Sequence, residues 1–377
     1  MFIMNKTELR DGGAIPRPCL FDVCLYVFTF LCPIFFLLPW HLNMAQGMFF
    51  VFGVLFLLGI SFLCEKQREV KNRWLGGIIL WSLAGVFIHT FRFGLNQTYA
   101  AGFINFCLMS EGFIYVLCGC LLYYLVVSYS KKFNIAYPLL VINILNLFFA
   151  LTQTFGVYLI WHNINQGNQM NVAGMLGTKS QLAVFSAISI PVLFHFRKCL
   201  AVIPITTLIL SGSYTAVVAL FLGTTLFLFL NRHFELAFIW VVLGMTFLPI
   251  VVDWNKFYIR PPAWAYTLKE IKQSPIIGHG FDNTLAGNKI FVSGNFQTQY
   301  VYRHNDYLNV ARDLGVPFLL MILMAIIGVM ARVKFDYLWL SLVILMIACF
   351  AQTSFYWPRI AGVGLIMFGL KGRELYV

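Results

Sequence analysis

Residues 214–252 read YTAVVALFLGTTLFLFLNRHFELAFIWVVLGMTFLPIVV. Two apolar runs, 214–231 and 235–252, are each long enough to cross a hydrocarbon core, and Arg232 stands in the short connection between them. Runs of this kind recur from end to end. About twelve spans are expected: 20–40, 44–63, 75–92, 111–129, 135–158, 181–196, 199–212, 214–231, 235–252, 314–331, 336–351 and 358–370, the seventh and last being short. Length alone would allow two or three soluble domains. With 60% hydrophobic residues, 11% charged residues and a mean hydropathy of +0.81, composition overrules that. The expected fold is an all-α integral membrane protein, a single polytopic domain over 1–377. Gly, Ser and Thr dot several spans, as expected where helices pack closely in lipid.

Lys and Arg fix the expected orientation. Lys6, Arg10 and Arg17 precede the first span. Lys66, Arg68, Lys71 and Arg73 fill the second connection, and Lys131, Lys132, Arg197, Lys198, Arg232, Arg332 and Lys334 mark the later even-numbered ones. Lys371 and Arg373 follow the last span. The short odd-numbered connections hold only isolated charges, Arg92, Lys179 and Arg359. Both termini are therefore expected in the cytoplasm. The positive-inside pattern absorbs most of the formal charge of +12, so the charge does not argue for nucleic acid as a partner. The polar first twenty residues do not read as a cleavable signal peptide. Most of the nine cysteines lie in apolar runs without CxxC spacing, so neither a disulfide framework nor a cysteine metal site is expected. Residues 163–171 (NINQGNQMN) read as an outer turn.

The ninth connection, 253–313, is the one long polar passage, and the alternation places it outside. Its seven basic residues do not contradict that, since long translocated loops tolerate charge. Pro261 and Pro262 open a helix. Trp264, Leu268 and Ile271 follow at near-helical spacing, which predicts an amphipathic helix at the membrane surface. Ser274-Pro275 stops it, and Gly278 and Gly280 permit a tight turn. Residues 285–299 read as an irregular segment that could act as a lid. A second helix is expected to start near Asn305 or Asp306 and to run on past Gly315 and Pro317 into the tenth span with a kink.

His304 precedes that helix start, where the helix dipole disfavours a second proton on imidazole. A neutral imidazole there can accept a proton from a hydroxyl. Arg260 and Arg303 add guanidinium donors that fork onto phosphate. Together they suit attack on a substrate with a phosphate or diphosphate leaving group. The same residue types also cap helices, bind headgroups or pair with carboxylates such as Asp282 and Asp306. Arg312 and Asp313 read as an interfacial pair, and His279, between two glycines, as a turn residue. His41, His89, His162, His195 and His233 read as interfacial or packing residues. No HExxH, DxD, GxSxG or P-loop occurs, so no metal or cofactor is implied.

Three stretches resemble the O-antigen ligase and polymerase superfamily of bacterial membrane glycosyltransferases. Arg260-x3-Trp264 followed by Ser274-Pro-Ile-Ile-Gly-His-Gly280 is similar to its Arg…Trp…Pro-x-x-Gly-x-Gly signature. His304-Asn-Asp-Tyr-Leu308 with Asp313-Leu-Gly315 is similar to its His-Asn-x-Tyr-Leu…Glu-x-Gly. Gly177-Thr-Lys179-Ser-Gln-Leu-Ala183 is similar to the segment that opens one of its spans. The likeness is strongest over 172–330. It implies a GT-C-like fold of about twelve spans in the bacterial inner membrane, with short helices and the active site in the periplasmic loop 253–313. It further implies transfer or polymerisation of glycan from an undecaprenyl-diphosphate donor, without metal, onto a glycan or lipid A-core acceptor in lipopolysaccharide or other polysaccharide synthesis. His304 would be the base on the acceptor hydroxyl and Arg260 would bind the diphosphate. Trp264, Asn305 and Tyr307 fall in the same signatures and, with Arg303, Lys179 and Tyr214, are assigned to binding the diphosphate or glycan.

One position departs from the pattern. Ligases carry a Ser/Thr-Arg pair at the start of a middle span, and here Tyr214 stands where the Arg would be. Either Lys179, Arg303 or Arg92 supplies the second diphosphate contact, or the donor differs. Polymerase members vary more here. An inactive homologue, or a transporter or flippase of lipid-linked or anionic solutes, also fits twelve spans and a basic outer surface. Transporters, however, show paired repeats with broken helices, and no repeat is evident in this chain.

Overall fold

The computed structural model describes residues 19–34, 42–66, 73–94, 99–157, 172–176, 178–251, 260–280, 290–293, 296–299, 305–352 and 358–376. Twelve helices fall on the twelve apolar segments. They are α1 (Leu20–Ile34), α2 (Leu42–Ser61), α3 (Arg73–Gly94), α4 (Tyr99–Tyr129), α5 (Ala136–Thr154), α6 (Lys179–Phe196), α7 (Val202–Ser211), α8 (Tyr214–Leu230) and α9 (Phe234–Val251), then α12 (Val316–Met330), α13 (Tyr337–Ala351) and α14 (Pro358–Arg373). Two shorter helices, α10 (Arg260–Gln273) and α11 (Asp306–Leu314), occupy the polar passage. A 3-10 turn, Lys198–Ala201, leads into α7, and another, Glu374–Tyr376, follows α14. The expected turn at 163–171 lies outside the described residues.

Among the described residues the chain is all-α apart from one antiparallel hairpin, β1 (Ile290–Ser293) and β2 (Phe296–Gln299), in which Ile290 faces Gln299 and Ser293 faces Phe296. The hairpin corrects the expectation of an irregular 285–299. Ile290, Phe291, Val292, Phe296 and Thr298 are strand-favouring residues, and Gly294-Asn295 between them is a hairpin signal. A second correction concerns the tenth span. Instead of kinking, the helix breaks: α11 ends at Leu314, Gly315 takes φ +88°, and α12 begins at Val316.

The core is built around α6, whose residues 181–189 are all buried. Small side chains bring its neighbours close. Ala183 and Ala187 of α6, Ala216 and Ala219 of α8 and Ala348 of α13 are buried, and a Cβ added at Gly223 of α8 would lie 2.7 Å from Ile344 of α13. α13 runs antiparallel to α6 and α8. At one end Gln352 reaches Ser180 and Thr215. At the other, the Tyr337 ring stacks on His195 (4.5 Å) and meets Phe227 (6.1 Å). The fifteen residues of α13 separate these ends by about 22 Å.

The Tyr337 end is closed by ion pairs and caps. Lys371 is fully buried and holds Asp336 (2.9 Å) and Glu374 (2.6 Å), while Asp336 caps α13 through Trp339 N–H. Buried Asp22 accepts from the backbone N–H groups of Lys131 and Lys132, and Lys131 approaches Glu65. The even-numbered basic connections thus meet at one end of the bundle. Large apolar side chains are exposed around its flank, among them Phe62, Phe155, Ile209, Phe238 and Met245, where α9 buries little beyond Ala237 and Gly244. By length and apolarity α5 and α6 can cross a membrane, and nine shorter apolar stretches of 10–17 residues lie in other helices. The eight cysteines whose side chains are described are free thiols.

Candidate functional site

Three helices begin at the Gln352 end of the bundle, and each start has a local cause. Thr178 caps α6, its hydroxyl accepting from Gln181 N–H at 3.2 Å. Gly212 takes φ +60° and turns the chain after α7, so α8 starts at Tyr214 only three residues beyond the end of α7. Pro261 and Pro262 follow Arg260 at the head of α10, where their missing N–H groups have no helical partner to lose.

These starts meet in one polar node. Arg260 Nη2 donates to Thr215 Oγ1 at 3.2 Å. Gln352, which ends α13, donates from Nε2 to the same Thr215 oxygen at 3.2 Å and to Ser180 Oγ at 3.3 Å. Burial lowers the Arg260 pKa, yet a guanidinium keeps its charge under such a shift, so the node carries a fixed cation among neutral hydroxyls. Lys179 and Tyr214 flank Ser180 and Thr215 as the first residues of α6 and α8.

Phe350 of α13, two residues before Gln352, meets two aromatic rings. The Trp264 ring lies edge-on to it at 5.7 Å, and the Tyr307 ring is tilted to it at 6.4 Å. Tyr307 donates its hydroxyl to Met346 O at 2.7 Å, and burial raises its pKa far above the usual phenol range, so it stays a neutral donor. Asn305 caps α11, its side-chain oxygen accepting from Leu308 N–H at 3.0 Å, which places the helix start where the residue types predicted it. His304 and Arg303 lie outside the described residues, as does Asp282. Arg92 lies in α3, with only its backbone described.

A dense interlock ties α10 to α11. Gly278 and Gly315 sit backbone to backbone: an added Cβ would come within 2.4 Å of Asp313 O at Gly278 and 1.9 Å of Ile276 O at Gly315. His279 N–H and Gly280 N–H donate to the carbonyls of Arg312 and Asp313, each at 2.8 Å. Val316 N–H donates to Pro275 O, and Trp81 of α3 donates its indole N–H to Leu314 O. Behind this seam, buried Arg312 pairs with Asp313 at 2.8 Å and Glu270 at 3.6 Å. The carbonyl of Glu270 also meets His279 Nε2 at 2.8 Å. His279, Arg312 and Asp313 therefore serve the architecture, as their positions in the sequence suggested.

The Arg312 pairing also revises the expected face of α10. Ala263, Thr267, Glu270 and Ile271 are buried, while Leu268 is exposed. Of the expected stripe Ile271 is buried and Trp264 half-buried, but Leu268 is exposed and Glu270 is turned inward to Arg312, so the buried face is shifted from the one the apolar residues mark. Sequence reasoning also missed Thr215, Ser180, Gln352 and Phe350. Gln352 opens the polar run 352–354 after an apolar span, a signal that was present. Its pairing with residues 172 and 137 positions earlier leaves no local trace.

Among the described residues, no three His, Cys, Asp or Glu side chains are grouped as a metal site. The chain matches no protein-family model, and no curated protein matches it significantly.

Proposed function

We propose that the chain is a membrane glycosyltransferase that transfers or polymerises glycan from an undecaprenyl-diphosphate donor at the periplasmic face of a bacterial inner membrane. The observation that carries this reading is Arg260, held at the head of α10 against the first turn of α8, which Gln352 links to the first turn of α6. Helix starts present free N–H groups and a positive dipole end, and a fixed guanidinium beside them suits a diphosphate. In the reaction, the acceptor oxygen forms a bond to the anomeric carbon as the bond from that carbon to the diphosphate oxygen breaks. The acceptor proton passes to His304, which immediately precedes the α11 cap in the sequence, and undecaprenyl diphosphate departs with its charge met by Arg260. Lys179 and Arg303 add further positive charge for the diphosphate, and Trp264, Asn305 and Tyr307 shape the glycan side of the site.

Membrane placement draws support from the twelve apolar helices and from large apolar side chains exposed on the flank, such as Phe238 and Met245. The end that gathers Lys131, Lys334 and Lys371 takes the cytoplasm under the positive-inside rule, which leaves the Arg260 node to the periplasm. The deciding experiment is glycan transfer by the reconstituted full chain. His304→Ala and Arg260→Ala should each abolish it with expression intact, and EDTA should leave the wild type unchanged. Full activity in both variants would sink the reading. If the lipid-linked glycan merely changed leaflet, with no new linkage formed, the chain would be a transporter.

A further inference from the structure

Several buried hydroxyls in these helices bond back into their own helix. Ser186, Ser189, Thr207, Thr267 and Ser341 each donate to the carbonyl four residues back. Thr215 and Ser180 do not. Each is the second residue of its helix, where no helical carbonyl lies one turn behind.

Their hydrogen bonds can be accounted for atom by atom. The Gln352 Nε2 group has two hydrogens, one directed to Ser180 Oγ and one to Thr215 Oγ1. Thr215 Oγ1 also accepts from Arg260, so both its lone pairs are occupied. Its own hydrogen must point elsewhere. Among the described residues no acceptor receives it, and the same holds for the hydrogen of Ser180. Thr215 is 7% exposed, so bulk water is largely kept from it. Ser213, the N-cap of α8, makes no side-chain cap.

We propose that Thr215 and Ser180 are substrate-contacting hydroxyls that join Arg260 in binding a diphosphate, and that Gln352 is the positioning residue that aims them. The inference rests on the glycosyltransferase reading and specifies its leaving-group site. It also answers the departure at Tyr214. Two neutral donors supply the contacts that an Arg at position 214 would have made, without a second guanidinium directly beside the buried one of Arg260. Gln352 acts by being a donor. Because its amide occupies the hydroxyl lone pairs, the hydroxyl hydrogens are turned outward to the ligand. A carboxylate at the same place would accept those hydrogens and turn them inward.

The test is binding of undecaprenyl diphosphate to the full chain in nanodiscs, with phosphatidylglycerol as the headgroup control. Thr215→Val should weaken undecaprenyl diphosphate about ten- to hundredfold, the effect of losing one hydrogen bond to a charged group. Thr215→Ser should restore it to within about threefold. Gln352→Glu, which keeps the shape, should match the loss in Thr215→Val, and Ser180→Ala should show a smaller loss. Phosphatidylglycerol binding should not move in any of them. If Thr215→Val and Gln352→Glu bind like wild type while Arg260→Ala does not, the inference falls and the diphosphate reading stands. If Arg260→Ala also binds like wild type, both fall. Equal loss of phosphatidylglycerol would make this a general headgroup site and overturn the inference. Should Thr215→Val fail to fold, Gln352→Glu and Ser180→Ala decide the matter.

Discussion

The two ends of α13 solve the problem of buried polarity in opposite ways. At its start, each charge has a counterpart: Lys371 lies between Asp336 and Glu374, and Asp336 also caps the helix. At its finish, one cation, Arg260, rests on a hydroxyl, with an amide and a second hydroxyl completing the set. The first arrangement is saturated and does the work of holding α13 and α14 together. The second leaves donor capacity directed away from the protein. Opposite charges that satisfy one another add little chemistry. A cation that rests on donors and hydroxyls among the described residues keeps hydrogen-bonding groups beside it for a ligand.

Several substitutions would break or sharpen this contrast. The largest effect is expected at the unsaturated end. Arg260→Ala should reduce glycan transfer by about a thousandfold or more, roughly 4 kcal/mol of transition-state stabilisation, with thermal unfolding little changed. Loss of fold with loss of activity would make Arg260 a structural residue rather than a binding one. Next comes the seam beneath it. Gly315→Ala places a Cβ 1.9 Å from Ile276 O at φ +88°, so it should cost about 3 kcal/mol or more in unfolding stability. A melting curve like that of the wild type would show that the α10–α11 interlock is not formed.

Glu270→Gln should cost about 1–3 kcal/mol in the same melting measurement, because Arg312 is buried and loses one of its two carboxylates. Arg260→Lys tests the cation by pH. Burial lowers the pKa of the residue at this site, and an ammonium loses its charge under such a shift where a guanidinium does not. Transfer by this variant should therefore fall by about tenfold as pH rises from neutrality toward the ordinary lysine pKa, while the wild type shows no fall from this group. An identical pH profile would contradict the burial of that side chain. The smallest effect is expected at the saturated end. Lys371→Met should change stability by about 1 kcal/mol or less and leave transfer intact. The new side chain fills a similar volume, and Asp336 and Glu374, with side chains 45% and 36% exposed, can return to water.

What could be read from the residues differs in the same way between the two ends. The apolar helices were legible because bilayer-length runs are a property of contiguous sequence, and so were the caps and breaks at Asn305, Pro275 and Gly278. The gathering of basic connections at one end follows from charge alternation. The node was not legible. Thr215 and Gln352 are ordinary in their own surroundings and acquire meaning only when α8 and α13 run antiparallel. Tyr214 drew notice because it replaces an expected Arg, yet the residue after it holds the bond to Arg260. Glu270 shows a sharper limit. Hydrophobic periodicity assigns the buried face by apolar residues alone, so it fails where an Arg on another helix makes a carboxylate the better inward residue.

The seam at Gly278 and Gly315 has one more consequence. Gly280 N–H is bonded to Asp313 O, and Asn305 begins the helix that carries Asp313, so residues 281–304 are strung between two anchored points. Closing that loop needs little from the loop itself. Doubling its length would add only about 0.6 kcal/mol of closure entropy. The hairpin at 290–299 can thus be lengthened, shortened or exchanged for another while Arg260 and α11 keep their places, which makes the hairpin, but not Arg303 and His304, a replaceable cassette on a fixed socket.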